Sequence, residues 1–568
     1  MRSIWANMIR FLTFLALMTS RSDARADSVG SGRRRLFVRL AAPAAALALL
    51  VAMIALSRDF GATWDERALQ KLGEQLWDFY HGRLSRHDII TGFDQSFGHN
   101  LIYGVFVDFV SVAAQHVIRD DLWIVRHYVN AVFGWSGVVF AFLMASHLFG
   151  RRAGWLAALL LITMPRYFAE SMNNPKDLPF AVLMLGAFYF IVTIAPRAPF
   201  LSWPRAVALG AIIALALNVR SMGLVLLGYS GAAFAVALAA SRDWSPRALA
   251  AAAVRMAAVT LIALLGSGAF WPWAQESPLT RPFEAFFTAS GFNWGNPSLF
   301  MGRDLAAANL PWYYLPTWIA ITVPVGVLLG LLLSVPRLVR LNVSRVQLAA
   351  VWLFVLVPSA YVILRHLTLY DGIRHVFFIV PPLAVIAAAG WDFMLRAADR
   401  RRQVLVALAL AAVVAEPVLF QIRNHPNQAA YFTPAIGGPQ GAFGRYEMDY
   451  WGNCVLEATA WAAEQADRAG MPIGVTANAW EILAMDIARF RQLFFRRQHH
   501  PGYHLDIRLL KGSRQDILWT AAHPAVVHKV STGDGTPLCV VFRGPEYPAL
   551  ERRLAEASTE RPGPRLRR

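Results

Sequence analysis

The stretch LAAPAAALALLVAMIALSRDFGATWDERALQ, residues 40–70, carries the reading that decides the fold. Its first half is a run of Ala, Leu, Val, Ile and Met. A helix of about 20 such residues crosses roughly 30 Å of hydrocarbon. Its second half places Asp65 and Glu66 just beyond the end of that run. A carboxylate facing lipid costs about 2.5–3.5 kcal/mol at the centre of a span and less at its boundary. Two acids held at the boundary, rather than further out in water, point to a site at the membrane surface.

The whole chain reads the same way. Of 568 residues, 56% are hydrophobic and 16% charged, against about a quarter charged in soluble domains. The mean hydropathy is +0.41. The net charge of +18 sits in short Arg clusters between apolar runs rather than on one basic stripe. That pattern orients membrane spans and excludes a nucleic-acid partner.

On the length criterion, about eleven transmembrane helices are expected, near 38–57, 123–148, 153–169, 179–195, 205–219, 222–240, 249–270, 316–334, 347–364, 375–392 and 403–420. Arg33–Arg35, Arg151 and Arg152, Arg197 and Arg205, Arg242 and Arg247, Arg337 and Arg340, and Arg400–Arg402 fill every second gap, so those gaps are cytoplasmic. An odd count then places the C-terminal part outside. Residues 101–117 are apolar but short, and read as a helix lying at the outer surface. Residues 1–37 read as a cytoplasmic extension, although their start also has the form of a weak signal peptide with a small-x-small site at Ala24 and Ala26.

Beyond the transmembrane region 38–420 the apolar runs stop. Residues 421–550 contain helix-like WGNCVLEATAWAAEQADRAG and strand-like PIGVTAN, YHLDIRLL and PLCVVFR, which predicts a small extracytoplasmic α/β domain. Residues 551–568 read as a disordered tail. Cys454 and Cys539 both lie in the outer domain, where a bridge and two buried thiols are both open readings.

The outer gaps gather carboxylates, amides, aromatics and a few cations. The first, about 58–122, holds Asp65 and Glu66; the second, RYFAESMNNPKDLPF, holds Asn174, Lys176 and Asp177. NVRSMG carries Arg220 at a span end, where it also has the reading of an interfacial anchor. FMGRDLAAANLPWYYLP carries Tyr314, and RHLTLYDGIRH carries Arg374 and His375. The tryptophans and tyrosines of these gaps double as an interfacial belt. The histidines of the first gap lack compact ligand spacing, so no metal site is expected.

This ordered set resembles the GT-C superfamily of membrane glycosyltransferases, and within it the protein O-mannosyltransferase and lipid A aminoarabinose transferase group. TWDE at 63–66 stands where that fold carries its first acidic motif, and NNPKD at 173–177 stands at its second acidic position. ALNVRSMG, LPWYYLP at 310–316, YDGIRHVFFIVPPL at 370–383 and the segment 431–453 extend the likeness over roughly residues 40–460. The second acidic motif here pairs Asp177 with Lys176, which leaves the sugar unspecified.

The resemblance implies an inverting glycosyltransferase that takes a hexosyl or pentosyl group from a polyprenyl-phosphate donor. The acceptor is a hydroxyl of a glycolipid, polysaccharide or protein. Asp65, Glu66 and Asp177 are the implied catalytic residues, with Asp65 as general base. Arg220, Arg374 and Lys176 are the implied donor-phosphate ligands, and Asn174, Tyr314 and His375 the implied substrate contacts. No cofactor is required, with a divalent cation left open. The expected location is the bacterial inner membrane. The rival classes are a multi-span transporter, which would show internal repeats and mid-membrane charges, and a lipid-linked saccharide polymerase or ligase.

Overall fold

The computed structural model describes residues 31–97, 103–194, 200–292, 294–339, 343–397, 399–496 and 502–560. Most of the expected N-terminal extension (1–30), the first residues of the 101–117 segment and the last eight residues of the chain lie outside them.

The protein is a polytopic helical membrane protein with a small C-terminal α/β region. Among the described residues six helices are long and apolar enough to cross a membrane: Leu122–Phe149, Ser221–Ser241, Pro246–Phe270, Val346–Leu364, Arg374–Arg396 and Arg400–Arg423. Two bent pairs add up to two more spans, Pro165–Asn173 with Asp177–Thr193 at 110° and Tyr314–Thr322 with Val325–Leu338 at 115°. Each of the eleven expected segments is helical, but Trp203–Leu217 has 15 residues and the segments expected at 153–169 and 316–334 are each split.

Proline explains the breaks. The residue before a proline is pushed out of the helical region, and Met164, Asn174 and Val323, which precede Pro165, Pro175 and Pro324, are all extended. Reading 153–169 as one straight span is therefore corrected. The chain turns at Met164, and the Pro165–Asn173 helix leads instead into the corner Asn174-Pro175-Lys176.

The Arg374–Arg396 helix is the axis of the bundle, with 94% of its most apolar window buried. At one end Asp392, fully buried, receives Arg152 at 2.8 Å, Arg396 at 2.7 Å and Arg337 at 3.8 Å. Arg152 and Arg337 come from two of the Arg-rich gaps, and Arg396 from the last turn of the helix itself. At the other end stands Arg374. The α-helix Val380–Ala397 and the 3-10 turn Arg374–Ile379 before it separate the two ends by roughly 25–30 Å, close to the thickness of the hydrocarbon core.

Phe106–Val117, at 12 residues, is too short to span on its own and packs against the Glu66–Tyr80 helix. Its buried Asp108 receives Arg126 at 2.6 Å.

The C-terminal region forms a five-stranded sheet in the order β4-β3-β5-β7-β6. Its strands are β3 Ile473–Ala477, β4 Leu493–Phe495, β5 Leu505–Leu509, β6 Val526–Ser531 and β7 Pro537–Arg543. β4, β3 and β5 run parallel, and β7 and β6 are antiparallel. The Cys454–Ala469 helix covers the sheet, and a Cys454–Cys539 disulfide ties its first residue to β7. A hairpin of β1 Pro297–Phe300 and β2 Arg303–Ala306 joins this region through a bridge from Phe300 to Tyr446. The expected disordered tail is corrected for 551–560, which continue the Tyr547–Glu560 helix. Leu550 on that helix is fully buried, so the helix is held by packing.

Candidate functional site

The loop after the first helix is built to hold Asp65 still. The Gly61 N–H donates to Asn453 Oδ1 at 2.9 Å, and the Ala62 N–H donates to Asp486 Oδ1 at 3.1 Å. Asn173 donates its amide to the Gly61 carbonyl at 2.9 Å. Residues 61–63 are thus clamped between the bent pair and the α/β region, which stand on the same side of the bundle. Three buried backbone groups satisfied by side chains make this loop a fixed support.

The NNPKD corner is a second support. Asn174 Oδ1 accepts from the Lys176 N–H at 3.0 Å and the Asp177 N–H at 2.8 Å, an Asx turn that starts the next helix. Its amide nitrogen hydrogen-bonds Glu170 and lies 3.4 Å from Asp177 Oδ2. Glu170 also accepts from the Trp451 indole at 2.9 Å.

The third support is the YDGIRH turn. Asp371 and Gly372 both adopt positive φ, 55° and 71°. Asp and Gly are residues that tolerate this conformation, and the reversal delivers Arg374 at the head of the central helix.

Arg374 is the hub. Its guanidinium meets Asp65 Oδ2 at 3.2 Å, Asp177 Oδ2 at 3.3 Å and Asp371 Oδ2 at 3.3 Å. Arg220 pairs with the other oxygen of Asp177. Tyr370, Tyr450 and Trp451 surround Arg374 with ring centroids 5.6, 5.3 and 5.0 Å from its central carbon. The Lys176 ammonium lies 3.6 Å from the Tyr103 ring centre, and Arg220 flanks the same ring. Lys511, from the turn after β5, reaches Asp371 Oδ1 at 3.0 Å. Asp177 is closed off from solvent, whereas the Asp65 side chain is 29% exposed. Asp65 is therefore the carboxylate of this cluster open to an incoming group.

With the geometry in place, residues 106–266 match the family model described as dolichyl-phosphate-mannose-protein mannosyltransferase. The chain resembles GT-C membrane glycosyltransferases. Among solved structures it is similar to ArnT from Cupriavidus metallidurans bound to undecaprenyl phosphate, at 14% identity and a TM-score of 0.44, over 90% of this chain and 98% of that one. It is also similar to the Archaeoglobus fulgidus oligosaccharyltransferase in the apo form, at 11% identity and a TM-score of 0.42, over 82% of this chain and 69% of that one. At these values the site residues rest on their own geometry. No curated protein matches the sequence.

Of the expected site residues, Asp65, Asp177, Arg220, Arg374, Lys176 and Asn174 come together. His375 lies beside them, its ring centre 4.3 Å from that of Tyr370, with no hydrogen-bond partner for Nδ1 among the described residues. Tyr314 stands apart, fully enclosed with Phe300 and Trp318 and 3.3 Å from Ser298 Oγ. Glu66 turns away. It accepts from the Thr63 N–H at 2.8 Å and meets His127 at 3.2 Å and Arg126 at 3.8 Å, with its side chain 1% exposed. Its place is in the support of the Asp65 loop.

Asp371, Lys511, Tyr103, Tyr450 and Trp451 were not singled out from sequence. Tyr450 and Trp451 lie in the quoted segment 431–453, and Asp371 lies in YDGIRH, so both motifs held a usable signal. Among the described residues no group of three or more His, Cys, Asp or Glu is arranged to hold a metal ion.

Proposed function

We propose that this integral membrane protein is an inverting glycosyltransferase that moves a sugar from a polyprenyl-phosphate donor to an acceptor hydroxyl at the outer face of the membrane. The observation that carries the proposal is the joint grip of Arg374 on Asp65 and Asp177, with Arg220 on the far side of Asp177. A carboxylate open to solvent and a set of cations stand at the head of one central helix, within reach of both lipid and water. The matched family description names a dolichyl-phosphate-linked sugar, which supports the donor class.

In this reading the donor tail stays in the bilayer and its phosphate enters among Arg220, Arg374 and Lys176. Phosphate, like carboxylate, takes a bidentate pair from guanidinium, and its further oxygens can engage Arg220 and Lys176 at the same time. Its arrival draws Arg374 toward the phosphate and frees Asp65 to accept a proton. The acceptor hydroxyl gives that proton to Asp65 as its oxygen bonds to the anomeric carbon. The bond from that carbon to the phosphate oxygen breaks, and the lipid phosphate leaves with the electron pair, its charge met by preorganised cations. Displacement from the opposite face inverts the anomeric centre. The residues supply all the charge this needs, so the reading requires no cofactor.

Asp177 holds Arg220 and Arg374 in place, and Asn174 fixes the corner that carries Asp177 and Lys176. The sugar is a hexose or pentose, and the acceptor a glycolipid, polysaccharide or protein. The Arg-rich end around Asp392 faces the cytoplasm, and the α/β region faces outward from a bacterial inner membrane. Membranes containing the protein, given radiolabelled polyprenyl-phosphate sugars, should transfer label to an extractable acceptor fraction. Label that stays wholly on the polyprenyl lipid with every donor and acceptor fraction offered would refute the reading.

A further inference from the structure

We propose that the outer α/β region completes the active site, with Lys511, Trp64 and Tyr450 forming a subsite for the sugar ring of the donor. The inference rests on the glycosyltransferase reading and adds to it the residues that bind the transferred group.

Lys511 follows β5 on a turn fixed by its N–H to the Leu509 carbonyl at 2.9 Å and by the Leu510 N–H to the Leu538 carbonyl at 3.0 Å. Gly512, at φ 134°, sends the chain back and leaves Lys511 at the tip. From there its ammonium reaches across to Asp371 of the transmembrane part. The contact continues a chain of charges, Asp65–Arg374–Asp371–Lys511, that links the ammonium to the candidate base.

Two aromatic rings flank Lys511, Tyr450 with its centre at 5.4 Å and Trp64 at 6.0 Å. Trp64 is the residue immediately before Asp65. Both rings carry buried polar atoms, Trp64 Nε1 and the Tyr450 hydroxyl, with no hydrogen-bond partner among the described residues. Tyr450 is 7% exposed. Buried groups of this kind are nearly always paired in a folded protein, and an unpaired set needs a cause.

Glu447 adds an acceptor. Its Oε1 takes a bond from the Leu299 N–H at 3.4 Å, while Oε2 is buried without a partner among the described residues. Burial, with the Asp371 carboxylate nearby, pushes its carboxyl up to about 8, while Lys511 pulls the other way. Near neutrality such a group can give a hydrogen bond as well as take one.

An ammonium, an indole N–H, a phenol and a protonatable carboxyl beside flat aromatic faces match a ring bearing several hydroxyls. The hydroxyls both donate and accept, and the ring's C–H face lies on Trp or Tyr. The cations proposed for the phosphate, Lys176 and Arg220, gather about Tyr103 and Asp177, whereas Lys511 is engaged by Asp371. The contacts thus distinguish a lipid-phosphate set, with Lys176 and Arg220, from a sugar set, with Lys511 and Trp64.

The test compares two ligands on the full-length protein in detergent, bare polyprenyl phosphate and the same lipid carrying the sugar that the native protein transfers. Lys511→Ala and Trp64→Phe are each measured for affinity, with folding checked by thermal melting. Trp64→Phe keeps an aromatic face but removes the indole N–H together with the five-membered ring, so the melting temperature reports the packing share of any loss. Both variants should bind the bare lipid phosphate as the native protein does and bind the sugar-bearing donor about tenfold or more weakly. Unchanged affinity for the sugar-bearing donor in both variants would overturn the subsite. So would an equal loss for both ligands, which would mark these residues as phosphate ligands or general supports. If native protein binds neither ligand, the donor class itself is wrong and the subsite falls with it.

Discussion

Arg374 and Asp65 are 309 residues apart in sequence and 3.2 Å apart in the fold. Their meeting joins the loop before the Glu66–Tyr80 helix to the head of the central helix. It also lets Arg374 balance three carboxylates, and in the proposed function the same guanidinium receives the donor phosphate.

Removing that guanidinium should therefore affect both stability and activity. Arg374→Ala leaves Asp65, Asp177 and Asp371 without their shared partner. Breaking a buried pair in this way costs about 3–5 kcal/mol, so the melting temperature should drop along with donor use. Arg374→Lys should restore part of the stability but only part of the donor affinity, because an ammonium cannot contact several oxygens in a fork. Donor titration and thermal melting of both variants check this.

Glu66 should behave as a support. Glu66→Gln can still accept from the Thr63 N–H but loses the charge facing His127 and Arg126. A lowered melting temperature is expected, by an amount equivalent to about 1–3 kcal/mol, with turnover per folded molecule within about tenfold of native. A loss of turnover as large as that of an Asp65 variant, at native stability, would place Glu66 in the chemistry.

The C-terminal α/β region should lose stability as pH rises. Burial pushes the Glu447 carboxyl from 4.5 up to about 8 and the Asp486 carboxyl from 3.8 up to about 6. Both folded values lie above the unfolded ones, so the folded state holds the proton more tightly. The stabilisation is complete below the unfolded values and is lost as pH rises through about 6 for Asp486 and about 8 for Glu447. Glu447→Gln should flatten the upper part of this profile in melts taken across that range.

The disulfide should be structural. Cys454 and Cys539 are separated by 85 residues, and closing a loop of that size stabilises by roughly 4–5 kcal/mol in the chain-entropy model. The Cys454→Ser/Cys539→Ser double variant should melt well below native protein in oxidising buffer. Native protein after reduction should approach the variant.

Much of this site was readable because membranes make polar residues conspicuous. Asp65, Asp177, Arg220 and Arg374 each stand at the end of an apolar run, where burial has to be explained. Glu66 shows the limit of that signal. Adjacent residues at a helix start point about 100° apart, so Asp65 faces Arg374 while its neighbour faces His127. Span length also hid the breaks at Pro165 and Pro324, because a length criterion counts apolar residues and not the extended residue a proline imposes. Lys511 carried no signal, since one Lys on a turn of a soluble-looking domain is ordinary until the fold brings it to Asp371.

The central claim is that Asp65 takes the proton from the acceptor, and the most direct measurement is turnover of Asp65→Asn at saturating donor. Asn keeps the volume and a hydrogen bond toward Arg374 but cannot accept the proton. General-base catalysis typically contributes 10²–10⁴-fold, so turnover should fall by about that factor while melting temperature and binding of polyprenyl phosphate stay near native. Near-native turnover in a well-folded Asp65→Asn protein would contradict the account.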